Sequence, residues 1–278
     1  MNTKSAVVLT TPPTVAVLAE MGLMPKGILE MMAWVRDRRP ECLPDDSGFE
    51  YMSLFPHDGF EARRLLTGNE LLVELAGRKC YDSFGLKAGR KTNAEYIAHT
   101  QQGEIPHASI MYHAKMTFFI GGVSRRVSHE LIRHYVGADR DEEGSPSQES
   151  TRYVEHAGRY IAHPAILNDA QELAHFSEAV EGNYQSYLNY IERRFAEHGG
   201  DPKGLERKRI YESASPYLAH SCETSFIWTT NPIAMAKLLR ERVNEAADLE
   251  FARLARVWRD VCVERWPNLF CQPWMTNV

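Results

Sequence analysis

Between Leu173 and Phe195, apolar residues fall at Leu173, Phe176, Val180, Tyr184, Tyr187, Ile191 and Phe195, at steps of three, four, four, three, four and four. That spacing puts them on one stripe of an α-helix. A helix over 167–198 is too long to leave such a stripe in water, so the rest of the chain must supply an apolar surface to cover it. Gly199 and Gly200 end the pattern. Residues 232–265 read as a second long helix, closing before Pro267. Residues 69–81 carry helical spacing behind Asn69 as N-cap, and 92–102 place Glu95 three residues after Thr92, a capping-box pattern. A helix over 124–135 opens at Ser124. Strand signals are fewer and shorter. They are KMTFFIGG (115–122), ETSFIWTT (223–230), and VVL and VAVLA within 6–19, which read as a strand pair or as a strand and a helix start. Residues 20–68 form an irregular excursion, rich in Arg, Pro, Asp and Gly from 36 onward. The reading is one α+β domain over 1–278, with long helices around a small sheet.

Composition removes several function classes. With 278 residues, 44% hydrophobic and 25% charged, the chain can bury a large core without covalent staples. A net charge of −5 gives no basic field for nucleic acid or an anionic membrane. No run approaches the roughly 18 apolar residues of a membrane span. The first apolar stretch is broken by Pro12 and Pro13 and shows no small-residue cleavage site, which argues against a signal peptide. Cys42, Cys80, Cys222, Cys262 and Cys271 are odd in number and scattered, with no CxxC, as reduced thiols of a cytoplasmic protein would be. There is no GxGxxG, no GxxxxGK[ST] and no HExxH, so no nucleotide fold of those kinds is signalled and no metal is expected.

Three clusters bear chemistry. Arg125, Arg126, Glu130, Arg133 and His134 share one short helix, with Arg126, Glu130 and His134 at i, i+4 and i+8. The spacing suits a solvated, salt-bridged face, and it equally suits a grip on phosphate by guanidinium forks. The stretch SPSQESTRY (145–153) offers hydroxyls, the Gln148 amide and Arg152, which are phosphate-cradle components and also the makings of a polar turn. Arg240 and Arg242 lie near Glu241 and Glu245, as surface ion pairs on a helix often do.

Taken together, these stretches resemble the flavin-dependent thymidylate synthases. The resemblance runs through ELAGRKCYDSF (74–84), 92–134, SPSQESTRYV (145–154), ETSFIWTTN (223–231) and AMAKLLRERVNEAADLE (234–250). Its signature is the Arg133-His134-Tyr135 triplet followed by Ser150-Thr151-Arg152-Tyr153. The resemblance implies a small mixed or antiparallel sheet flanked by long helices, assembled as a homotetramer with active sites shared between subunits. It implies FAD as cofactor, and C5 methylation of dUMP with methylenetetrahydrofolate as carbon donor and NADPH as reductant. The same chemistry on UMP is the alternative, and a non-catalytic flavin- and nucleotide-binding protein stands behind it. By this resemblance Arg242 is the catalytic cation. Arg125, Glu130, Arg133, Gln148, Glu149, Ser150, Thr151, Arg152 and Tyr153 hold the nucleotide. His107, Ser109, Arg133, His134, Tyr135, Gln148, Asn231 and Lys237 hold the flavin. The chain departs from the family pattern at Tyr135, where a third basic residue is usual, and in a lengthened acidic spacer at 136–144, expected to be a lid-like loop beside the nucleotide.

Overall fold

The computed structural model describes residues 4–38, 40, 66–84, 91–101, 107–136 and 146–270. Most of the 136–144 spacer, Ser145, and 39 and 41–65 of the irregular excursion lie outside the described residues. In chain order the elements are β1 (Val7–Leu9), β2 (Thr14–Glu20), α1 (Pro25–Arg38), α2 (Gly68–Cys80), α3 (Asn93–Gln101), α4 (Ala108–Met111), β3 (Met116–Ser124) and α5 (Arg125–Val136). They continue with β4 (Ser147–Gln148), β5 (Arg159–Ile161), α6 (Ala170–Glu197), α7 (Leu205–Ala214), β6 (Glu223–Thr230), α8 (Pro232–Arg242), α9 (Leu249–Arg265) and α10 (Pro267–Phe270). One sheet has the order β2-β3-β6-β4, with β4 antiparallel to β6, and β1 pairs in parallel with β5 in a second sheet.

Two compact units emerge. One is built from Met1–Ala16, Phe119–Trp228 and Arg242–Val257, the other from Val17–Phe118, Thr229–Glu241 and Trp258–Val278. In the first, the predicted stripe is realised. Val180, Tyr184, Tyr187 and Ile191 of α6 are buried with Tyr160, Ile210, Tyr211 and Cys222. Gly158 closes this core. Its φ is 74°, and a Cβ there would lie 2.5 Å from the Tyr184 ring, so only glycine fits. In the second, Ile28, Met32 and Val35 of α1 pack with Leu71, Leu75 and Phe84, while Phe118 meets the Trp258 and Trp266 rings edge-on.

Several expectations need correction. The two apolar runs in 6–19 are both strands, but they do not pair with each other. Pro12 and Pro13 lack the N–H groups a hairpin ladder needs, and β1 takes β5 as partner instead. The irregular excursion contains α1, which starts on Pro25, a favoured first helical residue. The N-cap of α2 is Thr67, not Asn69. The Thr67 hydroxyl accepts the Glu70 N–H, and the Glu70 carboxylate accepts the Thr67 N–H at 2.8 Å. Asn69 is instead buried, donating to the Lys115 carbonyl at 3.0 Å. The capping box at Thr92 and Glu95 forms as read. The single helix over 232–265 is two helices. Asn244 Oδ1 accepts the Ala246 N–H at 2.9 Å, and Asp248 Oδ1 accepts the N–H groups of Glu250 and Phe251, so a side-chain-stabilised turn interrupts the periodicity.

That turn anchors the first unit. β3 passes into α5 with no intervening loop. Ser124 caps α5, its Oγ accepting the Val127 N–H, while its own N–H and O–H donate to the two Glu250 carboxylate oxygens at 2.8 Å each. Two residues on, Arg126 forks onto Asp248 at 2.7 and 2.9 Å and reaches Glu250 at 3.3 Å. Burial pushes the Asp248 carboxyl up, but hydrogen bonds from Arg126 and the Phe251 N–H, together with the Arg126 charge, hold it at about 2 against an ordinary 3.8.

The sign of the pH effect follows. A carboxyl with a depressed folded-state pKa contributes stability above 3.8 and loses it as pH falls toward 2. The gap corresponds to about 2 kcal/mol. Asp248→Asn keeps the oxygen that caps α9 but removes the charge. We expect it to lower unfolding stability at pH 7 by about 2 kcal/mol, with the deficit shrinking below about pH 4. Denaturant titration of both proteins across pH checks this, and a deficit independent of pH would contradict it.

Candidate active site

Arg242 ends α8 and turns toward α5. Its Nε donates to His134 Nε2 at 2.8 Å, its Nη1 donates to Glu130 at 3.4 Å, and its guanidinium carbon lies 4.8 Å from the centre of the Phe251 ring. Because His134 Nε2 accepts, the imidazole is neutral and carries its proton on Nδ1. Glu130 also faces Arg126 at 3.7 Å. A line of alternating charge therefore runs from Asp248 through Arg126 and Glu130 to Arg242. The i, i+4, i+8 face seen in the sequence is real, and Arg242 joins its last two members. The Arg242 side chain is 19% exposed, and its Nη2 makes no hydrogen bond among the described residues.

Arg133 projects from the same helix, exposed and without an ion pair among the described residues. A cavity of about 320 Å³ opens here, lined by Arg126, His129, Glu130, Arg133 and His220. Arg125 points elsewhere and donates to the Glu149 carbonyl at 2.6 Å. Gln148 is fastened to α5 and β6 at once, donating to Ser128 Oγ and Thr224 Oγ1 at 2.9 Å each. The Ser150 carbonyl accepts the N–H groups of Tyr153 and Val154, and its Oγ accepts that of Arg152, so residues 150–154 form a tight turn. Thr151 is half-buried in it, and Arg152 and Tyr153 face solvent. Arg152 meets Glu212 at 3.4 Å, a half-exposed pair that costs little to break. Tyr135 belongs to the last turn of α5. A second cavity of about 440 Å³ lies beside Glu149, between β3 and β6, with the Arg159–Glu223 pair in its wall.

The other unit carries the remaining expected flavin residues. Asn231 is fully buried. Its Oδ1 caps α8 by accepting the Ala234 N–H at 2.9 Å, and its Nδ2 has no partner among the described residues. Ser109 and Lys237 are exposed, and the His107 ring lies 3.2 Å from the Tyr81 hydroxyl.

Neither described buried thiol is set up as a nucleophile. Burial pushes Cys222 up to about 11 and holds Cys262 well above the ordinary thiol range. Among the described residues no three His, Cys, Asp or Glu side chains converge as a metal requires, and no helix is long and apolar enough to cross a membrane.

Sequence reasoning missed Asp248, Glu250, Ser128, Thr224, His129 and His220. Arg126 and Asp248 are 122 positions apart, and no local pattern links them. The one available signal was the Asp-x-Glu at the head of α9, a common N-terminal helix pattern.

The family model described as "Thymidylate synthase complementing protein" matches residues 64–268. The flavin-dependent thymidylate synthase of Mycolicibacterium vanbaalenii is 36% identical over 206 residues, covering 73% of this chain and 79% of the relative. That of Mycobacterium leprae (strain TN) is 34% identical over 210 residues, with the same coverage. Among solved structures, the UMP/dUMP methylase PolB from Streptomyces cacaoi, crystallised with 5-Br UMP, is similar with a TM-score of 0.59 over 95% of this chain and 94% of its own. At 15% identity that likeness is one of fold. A match over most of the chain, with relatives above one-third identity, places the protein in the family of flavin-dependent thymidylate synthases.

Proposed function

We propose that the protein methylates C5 of the uracil ring of dUMP, taking the carbon from methylenetetrahydrofolate and electrons from FAD that NADPH recharges. The observation that carries this reading is the fixed, partly desolvated Arg242 with one guanidinium nitrogen uncommitted. Uracil C5 is a weak nucleophile. It reacts when negative charge grows on the ring carbonyls and N3, and a cation already in place lowers the energy of that charge. Glu130, His134 and the Phe251 ring fix the guanidinium, so little reorganisation is needed when the charge appears. Nη2 is the donor left for a uracil carbonyl. Arg125, Glu130, Arg133, Gln148, Glu149, Ser150, Thr151, Arg152 and Tyr153 hold the nucleotide, with Arg152 released from Glu212 and Arg125 from the Glu149 carbonyl.

The residues suit a flavin. The orphaned Asn231 Nδ2 is a buried donor that needs an acceptor, and a flavin carbonyl or ring nitrogen supplies one. His107, Ser109, Arg133, His134, Tyr135, Gln148 and Lys237 complete the set. When bound, the flavin supplies the electrons that reduce the transferred carbon to a methyl group. His134 contributes by accepting from Arg242, which orients both side chains. UMP as substrate is the second reading, favoured by the fold shared with a protein titled a UMP/dUMP methylase.

Tritium release tests the reaction. With FAD, NADPH and methylenetetrahydrofolate, we expect release from [5-³H]dUMP, and comparison with [5-³H]UMP decides between the two readings. Arg242→Ala should lower kcat by about 10²–10³ at unchanged flavin content. A flavin-loaded protein that releases tritium from neither nucleotide would refute the proposal.

Asn231→Asp keeps the oxygen that caps α8 and removes the buried donor, and a carboxylate is tolerated at a helix N-terminus. We expect this variant to lose FAD during gel filtration at unchanged oligomer size. Full flavin retention would remove Asn231 from the site. The active form we propose is a cytoplasmic homotetramer, four 31.7-kDa chains with sites shared between them. Light scattering that gives a monomer with full activity would contradict it.

A further inference from the structure

We infer that His129 and His220 form a proton-dependent clamp for the nucleotide phosphate in the cavity beside Arg242. The inference rests on the reading of that cavity as the nucleotide site, and it starts from its charges. Among its lining residues Arg126 and Arg133 contribute two guanidinium groups and Glu130 one carboxylate, with Asp248 and Glu250 behind Arg126 and Arg242 behind Glu130. Arg126 is spent on Asp248 and Glu250, and Arg242 on Glu130 and His134. The charges of Arg126 and Glu130 are therefore already committed to protein partners. Of the guanidinium groups that line the cavity, Arg133 is the one left to meet a phosphate dianion.

The two histidines change that balance. His129 projects from α5, and His220 sits in the turn before β6, pinned there by its carbonyl, which accepts the Arg126 N–H at 3.1 Å. Their rings are 6.4 Å apart and nearly perpendicular, and both line the cavity. Neither has an acidic partner among the described residues. His134 is held neutral by Arg242, and His163 faces Asp248 at 3.4 Å and not the cavity. Imidazole is the side chain that gains charge between about pH 8 and 5. Two imidazolium rings this close repel each other in the empty cavity, and a dianion between them relieves the repulsion. Phosphate binding therefore takes up protons, and the cavity gains positive charge as its ligand enters.

Calorimetry with dUMP at pH 6.5, 7.5 and 8.5, in buffers of different ionisation enthalpy, tests the clamp. The wild-type protein should bind dUMP about tenfold more weakly at pH 8.5 than at 6.5, the loss of one charge-assisted contact, and should take up protons on binding. His129→Gln/His220→Gln should bind at pH 6.5 as weakly as the wild type does at 8.5, with less than about a twofold change across the range and no proton uptake. His220→Arg should restore tight binding at pH 8.5. The phosphate's own ionisation near pH 6 affects all these proteins alike. The same pH dependence and proton uptake in wild type and double variant would overturn the clamp and leave the nucleotide reading standing. Failure of the wild type to bind either dUMP or UMP at any pH would overturn that reading and the clamp with it.

Discussion

The arrangement depends on one junction, where the carboxylates at the head of α9 hold the strand-to-helix corner of β3 and α5. Glu250 takes both donors of Ser124, and Asp248 takes the Arg126 fork while capping its own helix. These contacts are strong because the groups are partly withdrawn from water and geometrically matched. They fix the azimuth of α5 about its axis. Once that azimuth is set, Glu130 and His134, one and two turns further along, face the end of α8. Arg242 precedes Asp248 by six residues, so the same short turn that delivers the anchor also delivers the guanidinium.

Sharing of charge then gives the site its character. Glu130 lies between Arg126 and Arg242, and neither arginine is left with an unopposed charge in a half-buried place, which would cost several kcal/mol. Arg242 keeps a stacked ring and two acceptors while one donor remains for a ligand. A guanidinium fixed in this way suits a reaction whose difficulty is charge accumulation on a small flat ring. The nucleotide-side groups are more loosely held. Arg152 is in an exposed pair with Glu212, and Arg133 has no ion pair among the described residues, so a phosphate competes against little.

The sequence disclosed the parts of this architecture that are local. The stripe on α6, the capping box at Thr92 and Glu95, the strand at 223–230 and the charged face of α5 all depend on neighbours a few positions apart. The misreadings occurred where a side chain overrode a pattern. Asn244 and Asp248 broke an apparently continuous helix by bonding to nearby backbone. Thr67 displaced Asn69 as a cap because Asn69 was committed to Lys115. Pro12 and Pro13 sent two strands to different sheets. At the site, the residue types were legible from a family resemblance, whereas the partners were not. The links of Arg126 to Asp248 and of Gln148 to Thr224 span 122 and 76 positions and leave no periodic trace. His129 and His220, 91 positions apart, become a pair only through the turn before β6.

A crystal structure of the protein with dUMP bound tests the central claim most directly. The account predicts a uracil carbonyl within hydrogen-bond distance of Arg242 Nη2, the contacts of Arg242 to Glu130 and His134 intact, and the phosphate in the cavity with Arg133, His129 and His220. A uracil ring seated out of reach of the Arg242 guanidinium, or an Arg242 that has left Glu130 and His134 to bind it, would contradict the account.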